Sequence, residues 1–173
     1  ITVQMYYSQP GAVADTMAKY LSERARAGVR VLLLLDAFGS APLKEEWIDG
    51  LKEAGVEVAW LRPLKWYTLH QAAQRSHARV VVVDGEVGYT GGFGLADYWL
   101  GNGRTKGQWR ESNVRFGGPM VASLQAAFAA GWVEATGELI TGDMFFPWPA
   151  LAKRGDVNAG LMHTIPSVGS TPA

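Results

Sequence analysis

Residues 76–92 read SHARVVVVDGEVGYTGG. Four valines, Val80 to Val83, run into Asp84-Gly85, a pair favoured at tight hairpin turns. A second short run, Glu86 to Thr90, closes on Gly91-Gly92. The pattern predicts a buried hairpin with strands over 78–83 and 86–90. Positions 77 and 79 differ by two, so on a strand His77 and Arg79 project from the same face. A phosphate group suits that pair. Arginine offers paired donors matched to two phosphate oxygens, and imidazole can attack phosphorus or transfer a proton near neutral pH. Alone the pair is weak: a strand histidine is more often a hydrogen-bonded or exposed residue, and Arg79 could cap a sheet edge. Asp84 has the opposite parity and serves as a turn former at least as readily as a catalytic acid.

Upstream of the hairpin the chain alternates between two periods. Residues 1–7 suit a strand, and Ala12 to Ala27 a helix, with Val13, Met17, Tyr20 and Leu21 at helical spacing and Gly28 as its stop. Val29 to Asp36 is an apolar run of the kind buried on both faces of a sheet. Pro42 opens a second helix to Ala54, and Val56 to Leu61 reads as the next strand. This β-α-β-α-β rhythm predicts right-handed crossovers and an α/β fold with a largely parallel sheet. Residues 62–76 form a polar, aromatic loop holding Trp66, Tyr67 and His70. Downstream, 101–107 is a glycine-rich loop, Arg110 to Phe116 alternates as a strand, and Pro119 opens a helix to about Ala135. From Thr136 the pattern decays into Pro, Gly and Ser, which places a domain over 1–137 and an extended linker over 138–173.

Composition narrows the function classes. The chain has 173 residues, enough for one domain with a sizeable core, and 48% apolar content, typical of a folded protein. Lys plus Arg equal Asp plus Glu at 16 each, so any basic site must be local. Two such stretches stand out: Arg62, Lys65, Arg75 and Arg79, then Arg104, Lys106, Arg110 and Arg115. Either they are solvated loop charge or they draw in anionic lipid headgroups or nucleic acid. Trp66-Tyr67 and Phe145-Phe146-Pro147-Trp148 either enter a membrane interface or cover the core or a neighbouring repeat. With no cysteine, disulfides and thiolate metal sites are excluded. No His, Asp or Glu cluster has metal-ligand spacing, and the Gly91–Gly94 run is no dinucleotide fingerprint. No cofactor is expected. No run reaches the length of a membrane span, and a first residue of Ile1, already in a strand-like stretch, suggests a piece of a larger protein.

The whole pattern His77-x-Arg79-x4-Asp84-x6-Gly91-Gly92 resembles the His-x-Lys-x4-Asp signature of the phospholipase D superfamily. The flanks extend it. Arg26-Ala27-Gly28-Val29-Arg30-Val31, Asp36 with Gly39-Ser40, and Ala54-Gly55-Val56-Glu57-Val58 resemble the approach to the first catalytic repeat of bacterial cardiolipin synthases. Leu95-Ala96-Asp97-Tyr98, Trp109-Arg110-Glu111 and Gly118-Pro119 do so downstream, covering residues 1 to about 135. The resemblance implies an α/β sandwich and phosphodiester transfer through a phosphohistidine. His77 would be nucleophile or acid/base partner and Arg79 the phosphate clamp, with Gly92 beside the phosphate. Asp84 is the motif aspartate, and Glu111 matches the acidic residue that orients the histidine. The implied partners are an anionic phospholipid, a membrane surface (the bacterial inner membrane), and a second repeat of the same chain or a homodimer mate.

This is a variant half-site. Arg79 stands for the motif lysine, a change of reach and geometry. Gly94 stands where the family has asparagine, and losing one oxyanion-stabilising group costs about 100- to 1000-fold in rate. Arg75-Ser76 precedes the motif where Arg-Asp or Arg-Asn is usual. His163 has no Arg or Lys two places on, so it cannot be a second motif, whereas Pro166 to Ser170 resembles the entry into one. Two other readings stay open: a homodimeric nuclease with paired copies of His77, and a degenerate module that binds phosphate or lipid without turnover.

Overall fold

The computed structural model describes residues 1–63, 75–147 and 152–163. Six strands form one sheet: β1 (Thr2–Met5), β2 (Leu32–Asp36), β3 (Glu57–Leu61), β4 (Val80–Val83), β5 (Val87–Gly91) and β6 (Asn113–Gly117), in the order β3-β2-β1-β4-β5-β6. The β1–β2 and β2–β3 ladders are parallel, and the β1–β4, β4–β5 and β5–β6 ladders are antiparallel. Four of the six strands therefore run in one direction, β4 and β6 in the other. The parallel half comes from the two crossovers, through α1 (Ala12–Arg26) and α2 (Glu45–Glu53). After β3 the chain returns to the other side of β1, where β4 pairs antiparallel, and the tight β4–β5 hairpin adds the next antiparallel strand.

Leu32 to Leu35 show why the apolar run is central. All four are fully buried, with Leu33 and Leu35 packed among the α1 and α2 residues Ala14, Leu21, Ile48 and Leu51. Leu32 and Leu34 face the opposite way, onto Val121, Leu124, Phe128 and Trp132 of α3 (Met120–Thr136). Period-two alternation thus feeds two cores, and the molecule is a three-layer α/β/α sandwich. Complete burial of a leucine is worth about 1.5–3 kcal/mol relative to exposure, so this strand alone anchors both layers. β1 splits differently. Val3 and Met5 join the α1/α2 core, whereas Thr2 and Gln4 lie buried on the α3 side, where Thr2 Oγ1 donates to Gln125 Oε1 at 3.0 Å.

The expected elements are all present, each within a few residues of its predicted bounds. The tail differs from a bare linker over its first residues: Ile140 and Phe145 are buried in the α3-side core, and Phe146 packs against it. Of the two readings of Phe145-Phe146, core cover is the one observed. Trp66, Tyr67, His70, Trp148 and the stretch 166–170 lie outside the described residues. Among the described residues no helix is long and apolar enough to cross a membrane.

Candidate functional site

The β1–β4 pairing aligns Gln4 with Val80, so Tyr6, just beyond β1, meets the residues that lead into β4. The His77 ring stacks on Tyr6 with centroids 3.8 Å apart and planes inclined by 23°. The Arg79 guanidinium lies 5.8 Å from the centroid of the same ring. One aromatic side chain thus holds both motif residues, His77 exposed and Arg79 half-buried. β5 then brings Gly91 beside Arg79, and β6 aligns Asn113 with Gly91, which carries Ser112 and Glu111 to the same sheet end. This rim lies at the carboxyl ends of the parallel strands, where the strand order switches sides at β1, the usual place for a ligand in an open α/β sheet.

Arg79 keeps a donor out of solvent. Its Nε is buried and has no hydrogen-bond partner among the described residues. Burial pulls its pKa below the ordinary arginine value, and the negative charge of Glu111, with a smaller contribution from Tyr6, pushes back. The Arg79 carbonyl is pinned by Thr90 Oγ1, which donates at 2.7 Å. Glu111 rests its carboxylate against Gly92, where a methyl group would overlap it. It makes no hydrogen bond to His77 among the described residues; its geometric partners are Gly92 and, through charge, Arg79.

Asp84 does not join this group. It sits in the β4–β5 turn with φ 54°, followed by Gly85 at φ 66°, and Glu86 N–H donates to the Val83 carbonyl at 3.0 Å. Positive φ at both central residues is what a hairpin of this twist demands. The turn lies at the opposite end of the strand from His77, roughly 20 Å away at about 3.3 Å per residue. Gly94, in the asparagine position of the motif, is closed off: a Cβ there would lie 2.5 Å from the Tyr7 carbonyl oxygen and 3.1 Å from the Trp99 ring.

Beneath the rim lies an ion pair that the motif does not contain. Asp36, the last residue of β2, is buried, and its Oδ1 accepts from Phe38 N–H and Gly39 N–H, each at 3.0 Å. Arg75 Nη1 stands 4.0 Å from Asp36 Oδ1 and donates to the Arg62 carbonyl at 2.7 Å, with the guanidinium over the Phe38 ring. Desolvation raises the Asp36 pKa above the usual carboxylate range, against the two backbone donors and the Arg75 charge. The sequence shows Asp36 only as part of a matching flank, and Arg75 as a member of a basic stretch and the arginine that precedes the motif; nothing in it pairs the two. No local pattern links Tyr6 to His77 either, because the antiparallel pairing of β1 with β4 makes that contact. Among the described residues no group of three or more His, Asp or Glu converges as a metal site would.

Against known proteins, residues 1–127 match the family model described as cardiolipin synthase, PLD-like domain. A cardiolipin synthase of Geobacillus kaustophilus is 34% identical over 164 residues, 94% of this chain and 32% of that protein. Cardiolipin synthase A of Pseudomonas putida is 34% identical over 140 residues, 80% of this chain and 29% of that protein. A cardiolipin synthase of Halalkalibacterium halodurans is 32% identical over 157 residues, 90% of this chain and 31% of that protein. The chain thus spans about a third of the length of the curated relatives it matches.

Proposed function

The chain belongs to the cardiolipin synthase, PLD-like domain family, and from that membership we propose that it forms one half of a site for phosphatidyl transfer between phospholipids. The observation that carries the reading is the shared seat of His77 and Arg79 on Tyr6, which keeps an imidazole and a half-buried guanidinium against one ring. A phosphodiester placed there meets Arg79 through paired N–H donors, and the guanidinium offsets charge that builds on the phosphoryl oxygens.

In the reaction, a ring nitrogen of His77 attacks phosphorus and the bond to the leaving alkoxide breaks, while an acid from a second half-site delivers a proton to that alkoxide. An acceptor alcohol then attacks the phosphohistidine, loses its proton to the same group and releases free imidazole. The first step splits one difficult displacement into two easier ones. Tyr6 restrains the ring so that fewer orientations are lost at the moment of attack. The partner half-site is supplied by a second repeat or a second copy, and the anionic substrate implies work at a membrane surface.

The test is His77→Ala, with phosphatidylglycerol as substrate and an alkaline quench, in which a phosphohistidine survives, to trap labelled phosphate. Product formation should fall by at least about 100-fold, the scale of a lost nucleophile or proton carrier, and the trapped label should vanish. Product at the unmutated rate would overturn the reading. Lipid binding without any turnover in the unmutated protein would assign the chain as a binding module instead.

A further inference from the structure

The loop after β5 carries a feature that the phosphodiester chemistry does not use. Tyr98, Leu100 and Trp109 are 37%, 49% and 51% exposed. They are not loosely held. Tyr98 and Trp109 stack with centroids 5.1 Å apart and planes inclined by 21°, Trp109 meets Trp99 edge-on at 5.2 Å, and Trp109 N–H donates to the Tyr98 carbonyl at 2.6 Å. Tyr7, next to Tyr6 at the rim, packs edge-on against Trp99 at 5.8 Å. The apolar crest is therefore built in advance and fixed, through Tyr7, to the segment after β1 whose Tyr6 seats His77.

Charge follows the same segment. Residues 98–110 contain Arg104, Lys106 and Arg110 and no Asp or Glu, although the whole chain balances 16 basic against 16 acidic residues. All three cations are exposed. An open groove of about 390 Å³, lined by Trp99, Asn102, Arg104, Trp109, Arg110 and Glu111, joins this segment to the rim. Aromatic rings with an aliphatic tip, backed by cations, match the layered chemistry of an anionic bilayer surface: acyl chains below, phosphate above. A nucleic acid would engage the cations and rings but leave Leu100 without a role.

We propose that Tyr98–Arg110 is a docking ridge that seats the His77–Arg79 rim on an anionic membrane surface. Leu100, Tyr98 and Trp109 enter the headgroup region, while Arg104, Lys106 and Arg110 bind lipid phosphates. The inference rests on the lipid reading of the site and adds to it the face that meets the lipid.

The experiment is sedimentation of the chain with vesicles of phosphatidylglycerol and phosphatidylcholine, or of phosphatidylcholine alone. Binding should require the anionic lipid and fall with added salt. It should drop by about 10-fold or more in Leu100→Ser/Trp109→Ala and in Arg104→Gln/Lys106→Gln/Arg110→Gln. Circular dichroism checks that each variant remains folded, and should one fail, Leu100→Cys carries the test. The chain has no native cysteine, so a fluorophore on that single thiol should shift to the blue on anionic vesicles only. His77→Ala should bind vesicles as the unmutated chain does, which separates docking from chemistry. Ridge-dependent binding without phosphatidyl transfer would leave the ridge standing and remove the enzyme reading. Transfer on short-chain soluble lipids with vesicle binding indifferent to the ridge would do the reverse. A label that stays unshifted on anionic vesicles, or equal competition by a single-stranded oligonucleotide, would overturn the docking proposal.

Discussion

Asp97 caps α1 from the far side of the chain: its Oδ1 accepts Val13 N–H at 2.9 Å and its Oδ2 accepts Ala12 N–H at 3.1 Å. The helix's own N-cap is Gly11, which has no side-chain oxygen, so the orphan donors of the first turn are met by a residue that also opens the short 3₁₀ turn Asp97–Trp99. A carboxylate there also suits the positive end of the helix. Removing it as Asp97→Ala should cost about 1 kcal/mol of stability, while Asp97→Asn retains most of it. Thermal denaturation of both variants measures this directly. Equal melting of Asp97→Ala and the unmutated chain would show that water replaces the cap.

Gly94 invites an obvious repair, restoring the family's asparagine. The geometry argues against it. A Cβ at this buried position lies 2.5 Å from the Tyr7 carbonyl oxygen, a backbone atom that cannot rotate away. Moving it disturbs the pairing in which Leu95 N–H donates to that same carbonyl at 2.9 Å. Gly94→Asn should therefore destabilise by about 1–3 kcal/mol, as overpacking does, and raise no activity. A variant with unchanged melting temperature and faster turnover would refute the argument.

The fold was legible because its main signals are local. Val31–Leu35 alternates between two cores within five residues, and Gly28 and Gly55 mark the ends of α1 and α2 in the sequence itself. The motif likewise placed His77 and Arg79 on one face, and both reach Tyr6. Contacts made by pairing distant strands were not legible. Tyr6 under His77, Asp97 on α1, and the carbonyl that closes Gly94 all join segments far apart in sequence. Phe145 was ambiguous for another reason: an exposed aromatic anchor and a core plug are the same residue until the neighbouring surface is known.

Glu111 and Gly92 should behave as a unit. The carboxylate lies where the missing Gly92 side chain would be, and its charge acts on Arg79. Gly92→Ala displaces an exposed, rotatable side chain rather than backbone, so stability should change by no more than about 0.5 kcal/mol. With the carboxylate pushed away, or removed as Glu111→Gln, the guanidinium loses its nearest opposing charge. Both variants should bind inorganic phosphate about 2- to 5-fold more tightly, the scale of a partly exposed charge pair. Isothermal titration with phosphate provides the check. Unchanged phosphate affinity in both variants would remove Glu111 from any electrostatic role at Arg79.

Asp36 links burial to pH. Desolvation raises its pKa in the folded protein, so the folded state holds its proton more tightly than the unfolded chain, where the value is about 3.9. The associated stabilisation is fully present below the unfolded value and is lost as pH rises through the elevated folded one. Asp36→Asn cannot titrate, yet its side-chain oxygen can still accept from Phe38 and Gly39 N–H, bonds of 3.0 Å in the unmutated chain. The comparison therefore isolates the charge. In melts taken from neutral pH down to about pH 4, the unmutated chain should gain stability relative to Asp36→Asn as the pH falls. If Arg75, 4.0 Å from Oδ1, instead dominated, the folded pKa would be depressed and the difference would run the other way, in favour of Asp36→Asn. The sign of that slope decides whether desolvation or the Arg75 charge dominates at Asp36.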